Sequence, residues 1–430
     1  MKTYINPNQI DWKKISERPS ITTDNLMPLV RKVFKEVEKD GDKAISKYTA
    51  KFDKVNLANF QVSENEIALA CTKVADPLKK AIKIAANNIE IFHNTQIVNK
   101  EVVETTKGVF CWQESRPIER VGVYIPGGTA PLFSTVLMLG IPARIAGCEK
   151  VVLCTPPNKF GEIDPAILYA AQLVGITEIF KVGGIQAIAS LTYGTATIPK
   201  VFKVFGPGNQ YVTAAKQFAQ QCGIAIDMPA GPSELLVMAD EKSNLNFVAA
   251  DLLSQAEHGE DSQVIALLSS ETMIEQLSLA VETQINALAR RDTASAALKN
   301  SRIIVLKDLN ERIKFVNQYA PEHLIITEQE PETILCQITN AGSVFIGPFT
   351  PESAGDYASG TNHTLPTNGF STTYSGVNVD AFVKKITVQK ITENGIKNIG
   401  ETIEVMAEAE QLQAHKNAVT IRLKNLKNEN

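Results

Sequence analysis

From Val121 onward, short apolar runs alternate with segments of helical spacing, and this alternation predicts the architecture. Strands are expected at Val121–Ile125, Lys150–Cys154, Glu178–Val182, Val201–Phe205 and Leu235–Ala239, then at Val264–Leu268, Arg302–Leu306, Leu324–Thr327 and Ser343–Ile346. Strand–helix repetition of this kind implies parallel sheets covered on both faces. So many strands divide more naturally between two α/β domains than within one. The join is expected near Ala230-Gly231-Pro232.

The flanks read differently. Residues 1–115 are expected to be mostly helical. Leu26, Leu29, Val30, Val33 and Val37 recur at helical spacing. Ser63 and Glu66 form a capping-box pattern. Asp76-Pro77 opens a helix whose stripe is Leu78, Ile82, Ala85, Ile89 and Phe92, with His93 an ordinary helix-end residue after it. Strands are expected to stop near residue 377, and Gln389–Lys427 reads as a helical tail carrying Ile403, Met406, Leu412, Val419 and Leu423. The expected divisions are 1–115, 116–231, 232–377 and 378–430.

Composition narrows this picture. A chain of 430 residues suits two to three domains. A net charge of −4 gives no reason to expect nucleic acid or an anionic membrane as partner. Six cysteines occur without a CxxC pair, and the first ten residues lack the apolar core of a signal peptide. A cytoplasmic chain with reduced thiols follows as the expectation. Val121 to Ala143 is uncharged and long enough to span a bilayer. Its Pro126-Gly127-Gly128, Pro131 and Pro142 would leave backbone unpaired in lipid. A buried strand, a glycine turn and a buried helix fit it better.

Candidate chemistry gathers around scarce histidines. There are five, and His258, His323, His363 and His415 fall in the last two-fifths of the chain. Each lies among carboxylates, amides or glycines, which suggests one converging site. Gln255 and His258 share a helix face and make a possible metal half-site, although from this cassette alone a polar helix end is the better reading. Asp356 and His415 are further candidate ligands, and four N/O ligands suit zinc or a similar ion. Glu322-His323 precedes a strand and offers a proton acceptor beside a carboxylate; a surface loop is an equally good reading of those residues alone. Glycine turns follow three predicted strands, at Gly127-Gly128, Gly183-Gly184 and Gly206-Pro-Gly208. They could present backbone N–H groups to a phosphate, yet none completes GxGxxG. Cys148 and Cys154 flank an apolar strand and read as inert buried thiols.

Taken together, these cassettes resemble histidinol dehydrogenase. The likeness is carried by Tyr124-Ile-Pro-Gly-Gly128, Asp227-Met-Pro-Ala-Gly-Pro-Ser233, Ser254-Gln-Ala-Glu-His-Gly259, Pro321-Glu-His-Leu324 and Glu352-Ser-Ala-Gly-Asp-Tyr-Ala-Ser-Gly-Thr-Asn-His363. The resemblance implies two incomplete Rossmann-like domains in an aldehyde-dehydrogenase-like α/β fold, with helical N-terminal and C-terminal regions. It implies oxidation of L-histidinol to L-histidine through a bound aldehyde, with two NAD reduced in turn. Gln255, His258, Asp356 and His415 match the family's zinc ligands, one ion per subunit. Glu322 and His323 match its catalytic pair. Ser233, His363 and Glu410 match substrate contacts, with the metal ligands and catalytic pair lining the same site. Tyr124, Gln186 and Asn209 match residues at the cofactor. A homodimer in which each tail completes the partner's site is implied too. The rival readings are a zinc hydrolase using Glu322 on water, and a non-enzymatic metal-binding or assembly protein.

Overall fold

The computed structural model describes residues 1–19, 25–127, 131–229 and 231–428. Gly128 of the first glycine turn and Ala230 of the expected join lie outside them. In chain order the strands are β1 (Lys2–Ile5), β2 (Val102–Thr106), β3 (Val109–Pro117), β4 (Arg120–Tyr124), β5 (Lys150–Thr155), β6 (Glu178–Lys181) and β7 (Lys203–Phe205). There follow β8 (Ala225–Ile226), β9 (Glu234–Ala239), β10 (Gln263–Leu268), β11 (Arg302–Val305), β12 (His323–Ile326), β13 (Ser343–Ile346) and β14 (Val383–Ile391).

The described chain divides into two compact units. One combines Met1–Gln96 with Ile118–Phe382, and the other combines Ile97–Pro117 with Val383–Asn430. The first holds two parallel sheets. Their orders are β6-β5-β4-β7-β8 and β1-β11-β10-β9-β12-β13. Leaving β1 aside, the chain lays two strands on one side of each sheet's opening strand, β4 or β9, and then crosses to the other side. Those five strands follow the doubly wound pattern without its sixth strand, and β1 extends the second sheet at the opposite edge. Every residue of β9 and of β10 is buried. Burial on both faces explains why these strands read as unbroken apolar runs.

Helices cover both sheets. Phe133–Ala146 is buried on all sides from Ser134 to Ala143, as its uniformly apolar sequence requires. The described parts of the uncharged stretch from Val121 thus include the strand β4 and a core helix. Among the described residues, no helix is long and apolar enough to cross a membrane.

The expected strands are present within a residue or two, and five others join them, of which β8 is a two-residue edge strand beside β7. β1 joins the edge of the second sheet beside β11, within a region expected to be mostly helical. β2 and β3 form an antiparallel hairpin in that same region, turning at Lys107-Gly108. β14 corrects the expectation that strands stop near 377: it pairs antiparallel with β3 along nine residues. Its apolar residues Val383, Ile386, Val388 and Ile391 have near-helical spacing, and only a partner far away in sequence makes them a strand. Helices Glu393–Ala409 and Gln413–Asn428 complete the second unit.

Candidate active site

Glu234 opens β9 and His323 opens its neighbour β12, so the site grows from the amino ends of two parallel strands. Open α/β sheets usually bind ligands at carboxyl ends. The Glu322-His323 pair thus lies beside a strand, as expected, but at the other end of the sheet from the one that rule favours. The turn into it passes through Ala320, whose φ is +52°. Glu322 is buried, and its Oε2 accepts from the Glu234 N–H at 2.8 Å.

His323 Nδ1 lies 3.2 Å from the Glu234 carbonyl oxygen. A carbonyl only accepts, so Nδ1 carries the proton and Nε2 keeps its lone pair. Burial pulls the imidazole down to about 4, against the upward pull of Asp356. His323 is therefore neutral near pH 7, and its free Nε2 faces Asp356 Oδ1 at 3.9 Å.

Acidic groups and imidazoles crowd together around this pair. His258 Nε2 lies 3.9 Å from Asp356 Oδ2. Glu352 sits four residues before Asp356 on the helix Glu352–Tyr357, and the two carboxylates share a face. Candidate ligand atoms of His258, Glu352 and Asp356 all fall within 4.8 Å of one another. Burial lifts Glu352 well above the usual carboxylate range, and repulsion from Asp356 and Glu322 adds to it. Burial does the same to Glu322, with Glu234 and Asp356 contributing. Such a set of N and O donors, short of positive charge, fits a divalent cation. Gln255 is fully buried at the end of the helix Leu245–Ala256. Its surroundings favour the amide orientation in which the NH₂ faces Glu352 as a donor, which leaves its oxygen for another partner.

His363 is held at both ring nitrogens. Nδ1 lies 2.9 Å from the Asp356 carbonyl and so carries the proton. Nε2 lies 3.0 Å from Thr135 Oγ1 and accepts from that hydroxyl. Behind it, Asn362 donates to the Met138 carbonyl at 2.6 Å and meets His93 Nε2 at 3.3 Å. His93, expected to be an ordinary helix-end residue, is fully buried, and its Nδ1 donates to the Ile89 carbonyl.

The predicted cofactor residues stand at the first sheet, at the carboxyl ends of β4 and β6 and beyond β7. Gly206 has φ +123°, and a Cβ there would lie 2.0 Å from the Tyr124 carbonyl oxygen. The turn after β7 thus closes against the end of β4, where the strand order reverses. Lys216 Nζ donates to the Gly206 carbonyl and pairs with Asp227, which accepts from the Gly206 N–H. Tyr124 Oη accepts from the Gly184 N–H at 3.1 Å. Asn209 caps the helix Gln210–Gln221. Gln186 Nε2 donates to Asp53 at 3.3 Å, but its Oε1 is buried without a partner. That orphaned oxygen, at a switch point lined with glycine turns, fits a polar ligand such as a dinucleotide.

Ser233 immediately precedes β9 and is half-buried. Glu410 and His415 belong to the second unit, at the end of one helix and the start of the next, and both are exposed in the single chain.

The histidinol dehydrogenase family profile matches residues 16–423. The chain belongs to the histidinol dehydrogenase family. It is an enzyme of that type, which sets aside the hydrolase and the non-enzymatic reading. It is 54% identical to a histidinol dehydrogenase of Bacteroides fragilis over 99% of this chain and 100% of that one. To the histidinol dehydrogenase of Yersinia pestis it is 51% identical, over 97% of this chain and 96% of that one. The crystal structure of histidinol dehydrogenase from Elizabethkingia anophelis superposes with a TM-score of 0.98 at 58% identity, covering 99% of both chains.

For a histidinol dehydrogenase, three site features went unread in the sequence. Glu352 was visible as the first carboxylate of a Glu-x-x-x-Asp pair at helical spacing. Thr135 had no local signal, because its partner is 228 residues away. Glu234 adjoins the predicted Ser233 and holds both Glu322 and His323 through its backbone.

Proposed function

We propose that this enzyme oxidises L-histidinol to L-histidine in two successive steps through bound histidinaldehyde, the last reaction of histidine biosynthesis, using NAD and one zinc ion per subunit. The observation that carries the reading is a neutral, buried His323 beside a buried Glu322, facing the His258, Glu352 and Asp356 cluster.

His258 and Asp356 would hold the metal, with Gln255 and, from the second unit, His415 as the further proposed ligands. When bound, the cation supplies a grip on the substrate's imidazole and amine, and NAD accepts hydride. Tyr124, Gln186 and Asn209 would line the cofactor site. Ser233, His363 and Glu410 would touch the substrate.

His323 Nε2 takes the hydroxyl proton as hydride leaves the carbinol carbon. The aldehyde must then gain water before a second hydride can leave. Glu322 removes the proton from that water. Its burial works in two directions: the ionised form is a strong base, but it is formed only at a cost. Positive charge brought by the cation and by NAD favours ionisation.

Glu322→Gln tests the division of labour. Supplied separately, histidinaldehyde should be oxidised far more slowly than by the wild type, with histidinol oxidation to the aldehyde less affected. Equal losses on both substrates would remove Glu322 as the specific base for water. Co²⁺ or Mn²⁺ should restore part of the activity lost on chelation.

A further inference from the structure

The backbone of one residue holds both proposed catalytic groups. Glu234 donates its N–H to Glu322 Oε2 at 2.8 Å and accepts from His323 Nδ1 at its carbonyl, 3.2 Å away. These two groups flank the Glu234 Cα, so the anchor of its side chain bears on both. Its carboxylate is 2% exposed and meets Arg18 as a fork, Nε to Oε1 at 2.6 Å and Nη2 to Oε2 at 2.8 Å. Asn368 N–H adds a third bond to Oε1 at 2.5 Å.

The same guanidinium reaches the other strand. Nη2 also donates to the Tyr319 carbonyl at 2.5 Å, and the group lies 4.0 Å from the Tyr319 ring centroid. Tyr319 ends the helix Leu309–Tyr319, and only Ala320 and Pro321 separate it from Glu322. Arg18 therefore ties the start of β9 to the turn that delivers Glu322 and His323. Stability alone is a weak reason for such a device, since a buried ion pair is often no better than a well-packed apolar pair. A planar fork with fixed donor directions does give orientation, which a lysine or an apolar side chain does not.

We propose that Arg18 is a positioning residue for Glu322 and His323, acting through the backbone of Glu234. This rests on the catalytic roles proposed for that pair. Arg18→Met and Arg18→Lys are compared with the wild type, per folded and metal-loaded site, on histidinol and on histidinaldehyde. Loss of the clamp should lower kcat on both substrates by about 10- to 100-fold, the scale of a misplacement near 1 Å. KM for histidinol and metal content should stay unchanged, and Arg18→Lys should recover part of kcat. If Arg18→Met does not fold, Glu234→Gln makes the same test by removing the charge that Arg18 pairs with. Unchanged kcat in a folded variant overturns the proposal, as does a loss confined to melting temperature and KM. Glu322→Gln, measured alongside, separates the two ideas. If it leaves histidinaldehyde oxidation intact, the catalytic reading itself fails. If it abolishes that step while the Arg18 variants keep full kcat, only the clamp fails.

Discussion

Glu352 is almost wholly buried, yet it faces Asp356 across a helix turn and receives the amide of Gln255. A buried carboxylate in that place either meets the cation or orients the groups that do. Outer partners of this kind typically change metal affinity by about 10- to 100-fold. Glu352→Gln should therefore weaken metal retention by about that factor, read by elemental analysis after dialysis against graded chelator. Retention equal to the wild type would make Glu352 a packing residue. At this scale the sequence was partly legible. His258, Glu322, His323, Asp356 and His363 stood out because histidine is scarce and each sits in a polar cassette. Arg18 was invisible, because its meaning depends on Glu234, 216 residues away.

The loop that carries His363 is fixed from behind by the helix Asp76–Asn94. Asn88 donates to the Ala358 carbonyl at 2.8 Å, and Gly360 packs so closely that a Cβ would lie 2.7 Å from the Asn88 carbonyl oxygen. His93 belongs to the same support, as a neutral ring donating at Nδ1 and accepting at Nε2. Burial lowers its pKa, against the raising effect of the Ile89 carbonyl. The unfolded chain then takes up a proton near pH 6.5 that the folded chain refuses. The stability His93 contributes is complete above that pH and is lost as pH falls toward the folded value. His93→Gln should flatten the decline of melting temperature between about pH 7 and pH 5. Identical slopes would show that this ring does not govern the acid response. Elements were legible where burial is uniform, as in β9 and β10. They were obscure where pairing is remote, as in β14, whose partner β3 lies about 270 residues earlier in the chain.

On the scale of the whole molecule, Glu410 and His415 stand in a unit separate from the one that holds Glu322 and His323. The proposed homodimer, with each tail completing the partner's site, makes this a testable matter. His258→Asn and His415→Asn chains, each inactive alone, are unfolded, mixed and refolded together. A mixed dimer gathers both defects in one site and leaves the other whole. Random pairing at equal amounts returns about a quarter of wild-type activity. No recovery would assign His415 to its own chain's site. A four-electron oxidation at a metal-dependent site is tested by the NADH formed per histidinol consumed, with and without a chelator. About two NADH per histidinol are expected from the metal-loaded enzyme, from two successive hydride transfers, and none after the metal is removed. One NADH per histidinol with aldehyde released, or full turnover in protein shown to be metal-free, would contradict this.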